Sequence, residues 1–592
     1  MLEFSIEQTL KTAQAYHQNG QLTQAESLYR QTLAMDPQNA QVLHALGFLL
    51  GQSGRLEAAM ERISQAIAIC PTDPSMHNTL GMLLGQLQRY DEAVVTFQKA
   101  IRLSPADAMA HYNLGTAYRS QGNLDAAIEA YRHSWCLDSG FFPTANNLGN
   151  LLAFTGRLDE AISLLRQVLA ANIHQPAVHS SLICRLQFHP GYDTQDIRRE
   201  LAEWNRAHAE PLAQYIQRHS NDPSPERRLR IGYVSGNFRD HVVAWNMLPI
   251  FKHHDSANFE IHCYSNTPDP DGTTDRIQRL VNGFHDIRQL TDPQAADLIR
   301  SHSLDILVDL SLHTMGNRLG VFACKPAPVQ LTFAGYPGST GLKTIDYRLT
   351  DPHLDPAGND QDYVEQSIRL PDSFWCFDPP VSAPPVNDPP ALENGHITFG
   401  SLNHFMKVNE TTLDLWSKVL VRARDSRFIL LASEGSHRRR VLDFFERRGI
   451  AAQRIRFENT RARSEYMKLY LDIDIGLDPL PYQGHSTSLD SFYMGVPVVT
   501  LVGRTIVGRA GVSQLMNLGM PELIARTESD FLNITERLTS DLHSLREMRK
   551  GLRKRMEKSP LMDAVTFSQN IEAVYRALWR RWCTEQASRD GN

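Results

Sequence analysis

The pair Leu-Gly recurs at Leu46-Gly47, Leu80-Gly81, Leu114-Gly115 and Leu148-Gly149, a step of 34 residues each time. Ala25, Ala59, Ala93, Ala127 and Ala161 keep the same step, as do Pro37, Pro71 and Pro105. Three columns on one period constrain the fold more than any other feature of the chain. A unit of this length cannot bury an apolar face alone, so successive copies must stack. Small residues suit the line where two helices of a repeat approach closely, and proline, which cannot sit inside a helix, suits the connections. Ala13 stands where the first repeat would carry its glycine, and Ile183 where a sixth would. The expectation is an α-solenoid of five regular helix-turn-helix repeats over about residues 4–172 with degenerate ends. Its curved groove suits an extended peptide or a partner protein.

The period is lost from about residue 189, where a helical connection is expected. Alternating elements then begin: buried-strand patterns at 229–234, 259–264, 306–310 and 329–333, with helical stretches between them. Six prolines between Pro379 and Pro390 break regular structure. A second series follows, with strands expected at 397–401, 428–432, 455–457, 473–477 and 496–500. Alternation of this kind implies parallel sheets, and ligands of such folds lie at strand C-termini. The boundaries expected are 1–188 for the repeats, 189–226 for the connection, 227–378 for a first Rossmann-like domain, 379–395 for a linker and 396–592 for a second Rossmann-like domain.

Composition excludes other classes. At 592 residues the chain holds several cores, and its net charge of -6 supplies no global field toward nucleic acid or an anionic membrane. Seven scattered cysteines without a CxxC pair favour reduced thiols, and neither an export signal nor an 18-residue apolar run is visible. A cytoplasmic protein is the expectation.

The most informative segment is LDPLPYQGHSTSLD, residues 477–490, running from a strand into a helix. A helix start offers free N–H groups and partial positive charge, so Gly484, His485, Ser486 and Thr487 would seat a phosphate, with Asp490 one turn on to accept from a ribose hydroxyl. An ordinary capped helix gives the same letters. Lys407 closes the loop after the first strand of the second series, where a cation would meet the growing charge of a departing diphosphate; a surface lysine reads alike from the residues alone. His241 and His313 each follow a strand of the first series and are candidate cleft side chains. Gly338, in GYPGSTG, is a candidate for close backbone approach to a ligand. The DxD spellings at Asp472–Asp474 and Asp269–Asp271 are set aside, since one borders a strand and the other lies in a turn.

Taken together, GYVSGNFRDH (232–241), KPAPVQLTFAGYPGSTG (325–341), FGSLNHFMK (399–407), LDPLPYQGHSTSLDSFYMGVPVVTL (477–501) and GRAGVSQL (508–515) resemble the protein O-GlcNAc transferase family: tetratricopeptide repeats joined to an α/β catalytic region of the GT-B type. The resemblance implies transfer of N-acetylglucosamine from UDP-GlcNAc to Ser or Thr hydroxyls of proteins, with inversion, without metal or other cofactor, and with acceptors held in the repeat groove. It places His241 at the histidine proposed as base, Lys407 on the diphosphate, His485, Ser486 and Thr487 in the phosphate turn and Asp490 on the ribose. His404, Arg461, Arg463 and Tyr466 fall in stretches that hold the nucleotide. Two alternatives remain: a protein O-fucosyltransferase using GDP-fucose, whose members tend to carry Thr and Glu where His485 and Asp490 stand, and a catalytically silent repeat scaffold.

Overall fold

The computed structural model describes residues 2–590. The chain divides into two compact units, one running to Leu152 together with Glu434–Ser436, the other comprising residues 153–433 and the chain from His437 on.

The first unit is built of helix pairs: Leu2–Gln18 with Leu22–Met35, Ala40–Gln52 with Leu56–Ile69, Pro74–Gln86 with Tyr90–Leu103, and Ala108–Ser120 with Leu124–Leu137. The glycine column does what close helix approach demands. A Cβ on Gly47 would lie 2.6 Å from Ile63, on Gly81 2.6 Å from Phe97, and on Gly115 2.7 Å from Tyr131, each a residue of the paired helix. Ala25, Ala59, Ala93 and Ala127 have no exposed surface, which puts the second column at the same seam. Pro37, Pro71 and Pro105 fall in the turns between pairs. Asn39, Asp73 and Asp107 accept from N–H groups of the following helices, ending each turn with a side-chain cap.

The second unit opens with helices Leu158–Ala171, Pro176–Leu186 and Thr194–Trp204, then forms two all-parallel sheets. The first contains β1 (Leu229–Ser235), β2 (Phe259–Ser265), β3 (Gly283–Asp286), β4 (Ile306–Asp309), β5 (Val329–Thr332), β6 (Tyr347–Thr350) and β7 (Gln366–Arg369), in the order β3-β2-β1-β4-β5-β6-β7. The second contains β8 (Thr398–Ser401), β9 (Arg427–Leu431), β10 (Ile455–Glu458), β11 (Ile475–Leu477), β12 (Val498–Leu501) and β13 (Ile524–Ala525), in the order β10-β9-β8-β11-β12-β13. Central strands such as β1 and β4 are buried on both faces, which is why they read as nearly unbroken apolar runs. Strand order reverses between β1 and β4 and again between β8 and β11; these are the switch points where a crevice opens beyond the strand ends.

The nine expected strands are present, and four more, β3, β6, β7 and β13, join them. One boundary differs from the sequence expectation. The last helix, Ala564–Asp590, packs on the first α/β domain instead of staying with the second. Tyr575 meets the Tyr233 hydroxyl at 3.1 Å, Glu572 holds His254 at 2.9 Å, and Trp579 donates to the Ser224 carbonyl at 3.1 Å. The apolar face of that helix packs on Tyr233 of β1 and on the helix Val242–His253.

Candidate functional site

At the switch point of the second sheet, β8 leads into Leu402–Met406 and a turn of 3-10 helix that delivers Lys407, while β11 leads into Asp478 and the helix Ser486–Tyr493. Lys407 is only 8% exposed. Its ammonium donates to Asn403 Oδ1 at 3.0 Å and to the Gln483 carbonyl at 2.6 Å, and lies 4.6 Å from the centre of the Tyr482 ring. Burial pulls its pKa down to about 7, opposed by the field of Asp478. Lys407 is thus a confined cation aimed at the loop that precedes a helix start, not a surface lysine.

That loop is held rigid by Asp478, whose carboxylate is pushed upward by burial. Its Oδ1 accepts from the Gly484 N–H at 3.0 Å and the Ser488 hydroxyl at 3.1 Å. Gln483 donates to the Leu501 carbonyl at 2.6 Å and accepts from the Gly511 N–H at 2.8 Å, tying the loop to β12 and to the helix Ala510–Asn517. The N–H groups of Ser488 and Leu489 close on the His485 carbonyl, leaving those of Ser486 and Thr487 as first-turn donors without an intrahelical acceptor. Gly484 therefore shapes the turn, with its N–H committed to Asp478, while Ser486 and Thr487 offer theirs. The His485 ring stacks on Tyr482 at 4.7 Å, Tyr482 in turn stacks on Phe188 at 4.5 Å, and burial with the nearby Lys407 charge keeps the imidazole neutral.

Asp490 is buried, and its carboxyl is raised to about 6 by that burial. Arg463 donates to it at 3.2 Å, and the same guanidinium lies 3.7 Å from the centre of the Trp245 ring on the helix Val242–His253 of the first domain. Arg463 thereby joins the helix start of the second domain to the wall of the first. Trp375 meets the His485 ring at 5.5 Å, and Arg509 donates to the carbonyls of His353 and Leu354, closing the two domains on each other around the switch points. Tyr466 meets Tyr470 at 2.6 Å, and Tyr470 donates to the Thr487 carbonyl at 2.9 Å, so Tyr466 buttresses the same helix. Arg461 is exposed and paired with Glu458. His404 is exposed, with Nδ1 accepting from Met406 N–H at 3.2 Å and its ring edge-on to Phe154.

In the first domain, His241 caps the helix Val242–His253, its Nδ1 accepting from the Val243 N–H at 3.2 Å. Burial lowers its pKa to about 4, so the ring is neutral at physiological pH. With Nδ1 used as acceptor, the proton of the neutral ring sits on Nε2, which is then a donor. His313 is otherwise disposed than the sequence suggested. It is buried, with Nδ1 on the Ser180 hydroxyl at 3.1 Å, Nε2 on the Thr340 carbonyl at 2.9 Å and Trp204 against its ring, so neither nitrogen is open to a ligand. Gly338 is buried too; its carbonyl accepts from Arg348, and a Cβ there would press on Tyr336. A loop that follows a β-strand can face the crevice or fold back into the core, and strand position alone does not distinguish the two. The DxD pairs are structural: Asp474 accepts from the Thr398 and Ala391 N–H groups, and Asp271 caps a helix.

Asn403, Asp478, Gln483, Tyr482, Phe188 and Trp245 are site residues that sequence reasoning did not single out. Asp478 and Gln483 lie inside the 477–490 motif, so their signal was present. Phe188 and Trp245 come from distant segments with no local mark.

Two doubly wound domains face each other at their switch points, with a buried cation opposite a helix start, an arrangement whose chemistry suits an anionic ligand. Residues 197–381 and 389–571 match Glycosyl transferase family 41, more than half of the chain, and the chain belongs to that family. Tetratricopeptide repeat profiles match residues 16–83, 78–133 and 118–182. Among similar proteins, the probable UDP-N-acetylglucosamine–peptide N-acetylglucosaminyltransferase SPINDLY of Petunia hybrida is 40% identical over 380 residues, 63% of this chain and 41% of that protein. Its counterpart SEC of Arabidopsis thaliana is 28% identical over 370 residues, 61% of this chain and 38% of that protein. The chain thus spans about two fifths of the length of these curated relatives. A lysine-to-methionine mutant of the Thermobaculum terrenum O-GlcNAc transferase superposes with a TM-score of 0.80 at 32% identity, covering 87% of this chain and 98% of that one.

Proposed function

We propose that this protein is an inverting, metal-independent glycosyltransferase that moves N-acetylglucosamine from UDP-GlcNAc to Ser or Thr hydroxyls of proteins. The observation that carries the reading is Lys407, buried and hydrogen-bonded beside the 483–487 turn, where the leaving diphosphate of a nucleotide sugar requires positive charge. In transfer, the acceptor oxygen bonds to the anomeric carbon as the bond from that carbon to the β-phosphate oxygen breaks; UDP departs with that electron pair, and the acceptor's hydroxyl proton passes to a phosphate oxygen of the donor. Lys407 and the Ser486 and Thr487 N–H groups take up the charge that a metal would otherwise meet. Diphosphate binding draws a proton back onto Lys407. Asp490 accepts from the ribose once a nucleotide engages the Arg463 neighbourhood. His241, neutral and protonated on Nε2, donates a hydrogen bond in the cleft and does not remove the acceptor proton. The names of the relatives and of the superposed bacterial enzyme support the donor and the peptide acceptor.

The repeats serve as the acceptor arm in this reading. Their first unit carries an open groove of about 730 Å³ lined by His17, Tyr29, His44, Phe48 and Thr79 among others. Polar and aromatic side chains in one concavity suit an extended peptide. No helix among the described residues is long and apolar enough to cross a membrane.

Purified protein is incubated with a cell lysate and either labelled UDP-GlcNAc or labelled GDP-fucose. Label on protein from UDP-GlcNAc, released by β-elimination, is expected. Label from GDP-fucose alone identifies a fucosyltransferase, and absence of label from either donor together with no calorimetric binding of UDP or GDP identifies a silent scaffold.

A further inference from the structure

Three histidines converge outside the cleft. His262 lies in β2, His285 in the edge strand β3, and His302 directly after the helix Asp292–Ser301. One nitrogen from each ring falls within 4.8 Å of the others. The His262 and His285 rings are stacked with 8° between planes, and His285 and His302 have centroids 4.4 Å apart. All three imidazoles are partly exposed, and they come from three separate elements.

Neighbouring side chains orient two of the three. Glu260 binds His262 Nε2 at 2.9 Å, which fixes the proton there and turns the Nδ1 lone pair toward His285. Tyr264 binds His302 Nδ1 at 2.7 Å; accepting from that nitrogen, its hydroxyl leaves the His302 Nε2 lone pair free. Gly283 has no side chain to intrude: a Cβ there would clash with His262 Nδ1 and stand 2.8 Å from His285 Nε2. Arg230 pairs with Glu260 and donates to the His302 carbonyl.

We propose that His262, His285 and His302 form a binding site for one divalent late-transition metal ion, Zn²⁺ by donor set, separate from the glycosyl-transfer cleft. Zn–N bonds of about 2.0–2.1 Å in a tetrahedron hold nitrogens roughly 3.4 Å apart. His262 Nδ1 and His285 Nε2 already stand at 3.3 Å, with the His285 N–H donating to the His262 lone pair, so metal binding shifts that proton to His285 Nδ1 and frees Nε2 as a ligand. His302 needs only a side-chain rotation to complete three ligands, leaving water for the fourth position. The ion pins the short edge strand β3 to β2 and to the end of a helix. Three neutral imidazoles select zinc, copper or nickel over magnesium and calcium, which require oxygen ligands.

The test uses the untagged full chain, stripped with a chelator and titrated with Zn²⁺ against a chromophoric competitor, then with Co²⁺. One Zn²⁺ per chain and the intense visible bands of four-coordinate nitrogen-ligated Co²⁺ are expected. His285→Gln and His302→Gln should each abolish the Co²⁺ bands, and Glu260→Gln should weaken Zn²⁺ about 10-fold or more while leaving the ligands in place. Circular dichroism of the metal-free variants checks folding. Absence of the Co²⁺ bands in the wild-type chain overturns the proposal without recourse to a variant, as does Zn²⁺ binding of equal strength in folded His285→Gln and His302→Gln.

Discussion

The two switch points of the α/β unit carry opposite chemistry on the same topology. Where the second sheet reverses, the loops deliver a buried cation, two unpaired helix N–H groups and a carboxylate that locks the turn between them. Where the first sheet reverses, they deliver neutral imidazoles, His241 as a helix cap and His313 sealed into the core. A parallel sheet positions whatever follows its strands, and the following residues decide whether the position holds charge or merely shape. In the proposed function the second domain would meet the donor's charge, and the first would supply a hydrogen-bond donor and a wall. The contrast can be broken by moving charge at either point.

The largest effect is expected from Lys407→Ala. Loss of the cation should lower kcat by on the order of 100-fold or more, as removal of a group that stabilises transition-state charge commonly does. Turnover within a few-fold of wild type would remove Lys407 from the site and with it the contrast. His241→Ala should cost about 10-fold in kcat, the scale of one hydrogen bond, and leave the pH profile near neutrality unchanged because the ring does not titrate there. A basic limb that disappears with His241→Ala would make it the base instead of a donor.

A smaller effect lies in pH itself. With the free Lys407 pKa at about 7 and a diphosphate holding the ammonium charged, UDP binding takes up a proton. Affinity should therefore fall as pH rises above 7, about fivefold between pH 7 and 8, read by calorimetry in buffers of different ionisation enthalpy. Lys407→Arg, which stays charged throughout, should flatten that dependence. An equal slope in both proteins would place the titrating group elsewhere.

How much of this was legible in the sequence follows from how each feature is encoded. The repeats were readable because the same steric demand, a missing Cβ against Ile63, Phe97 or Tyr131, recurs on one period. Strands buried on both faces, such as β1 and β4, announced themselves as apolar runs. β3 and β7 did not, because as edge strands of four residues they carry polar letters: GFHD and QSIR. Lys407 and the 484–487 turn were visible as a motif, whereas Trp245 and Phe188 enter the site only through tertiary packing across long separations. His313 shows the converse error, since the sequence places it correctly after β4 but cannot say that Ser180 and Thr340 will take both nitrogens.

His313 also gives the finest test of the contrast, because the expected change in UDP affinity is none. His313→Asn strands the Ser180 hydroxyl and the Thr340 carbonyl in the core, which should cost about 1–3 kcal/mol of stability. Its pH signature has a definite sign. Burial depresses the folded-state pKa to about 3 against 6.5 for an ordinary imidazole, so the unfolded chain binds the extra proton between those values. The stabilising contribution of the neutral ring is whole above pH 6.5 and is lost as pH falls toward 3, and a variant without the imidazole should unfold with a shallower acid dependence. Denaturant melts at pH 7.5 and 5.5, paired with UDP titration at pH 7.5, separate the outcomes. Reduced stability with unchanged UDP affinity keeps His313 a structural residue, and weakened UDP binding at undiminished stability would return it to the cleft and make the two switch points alike.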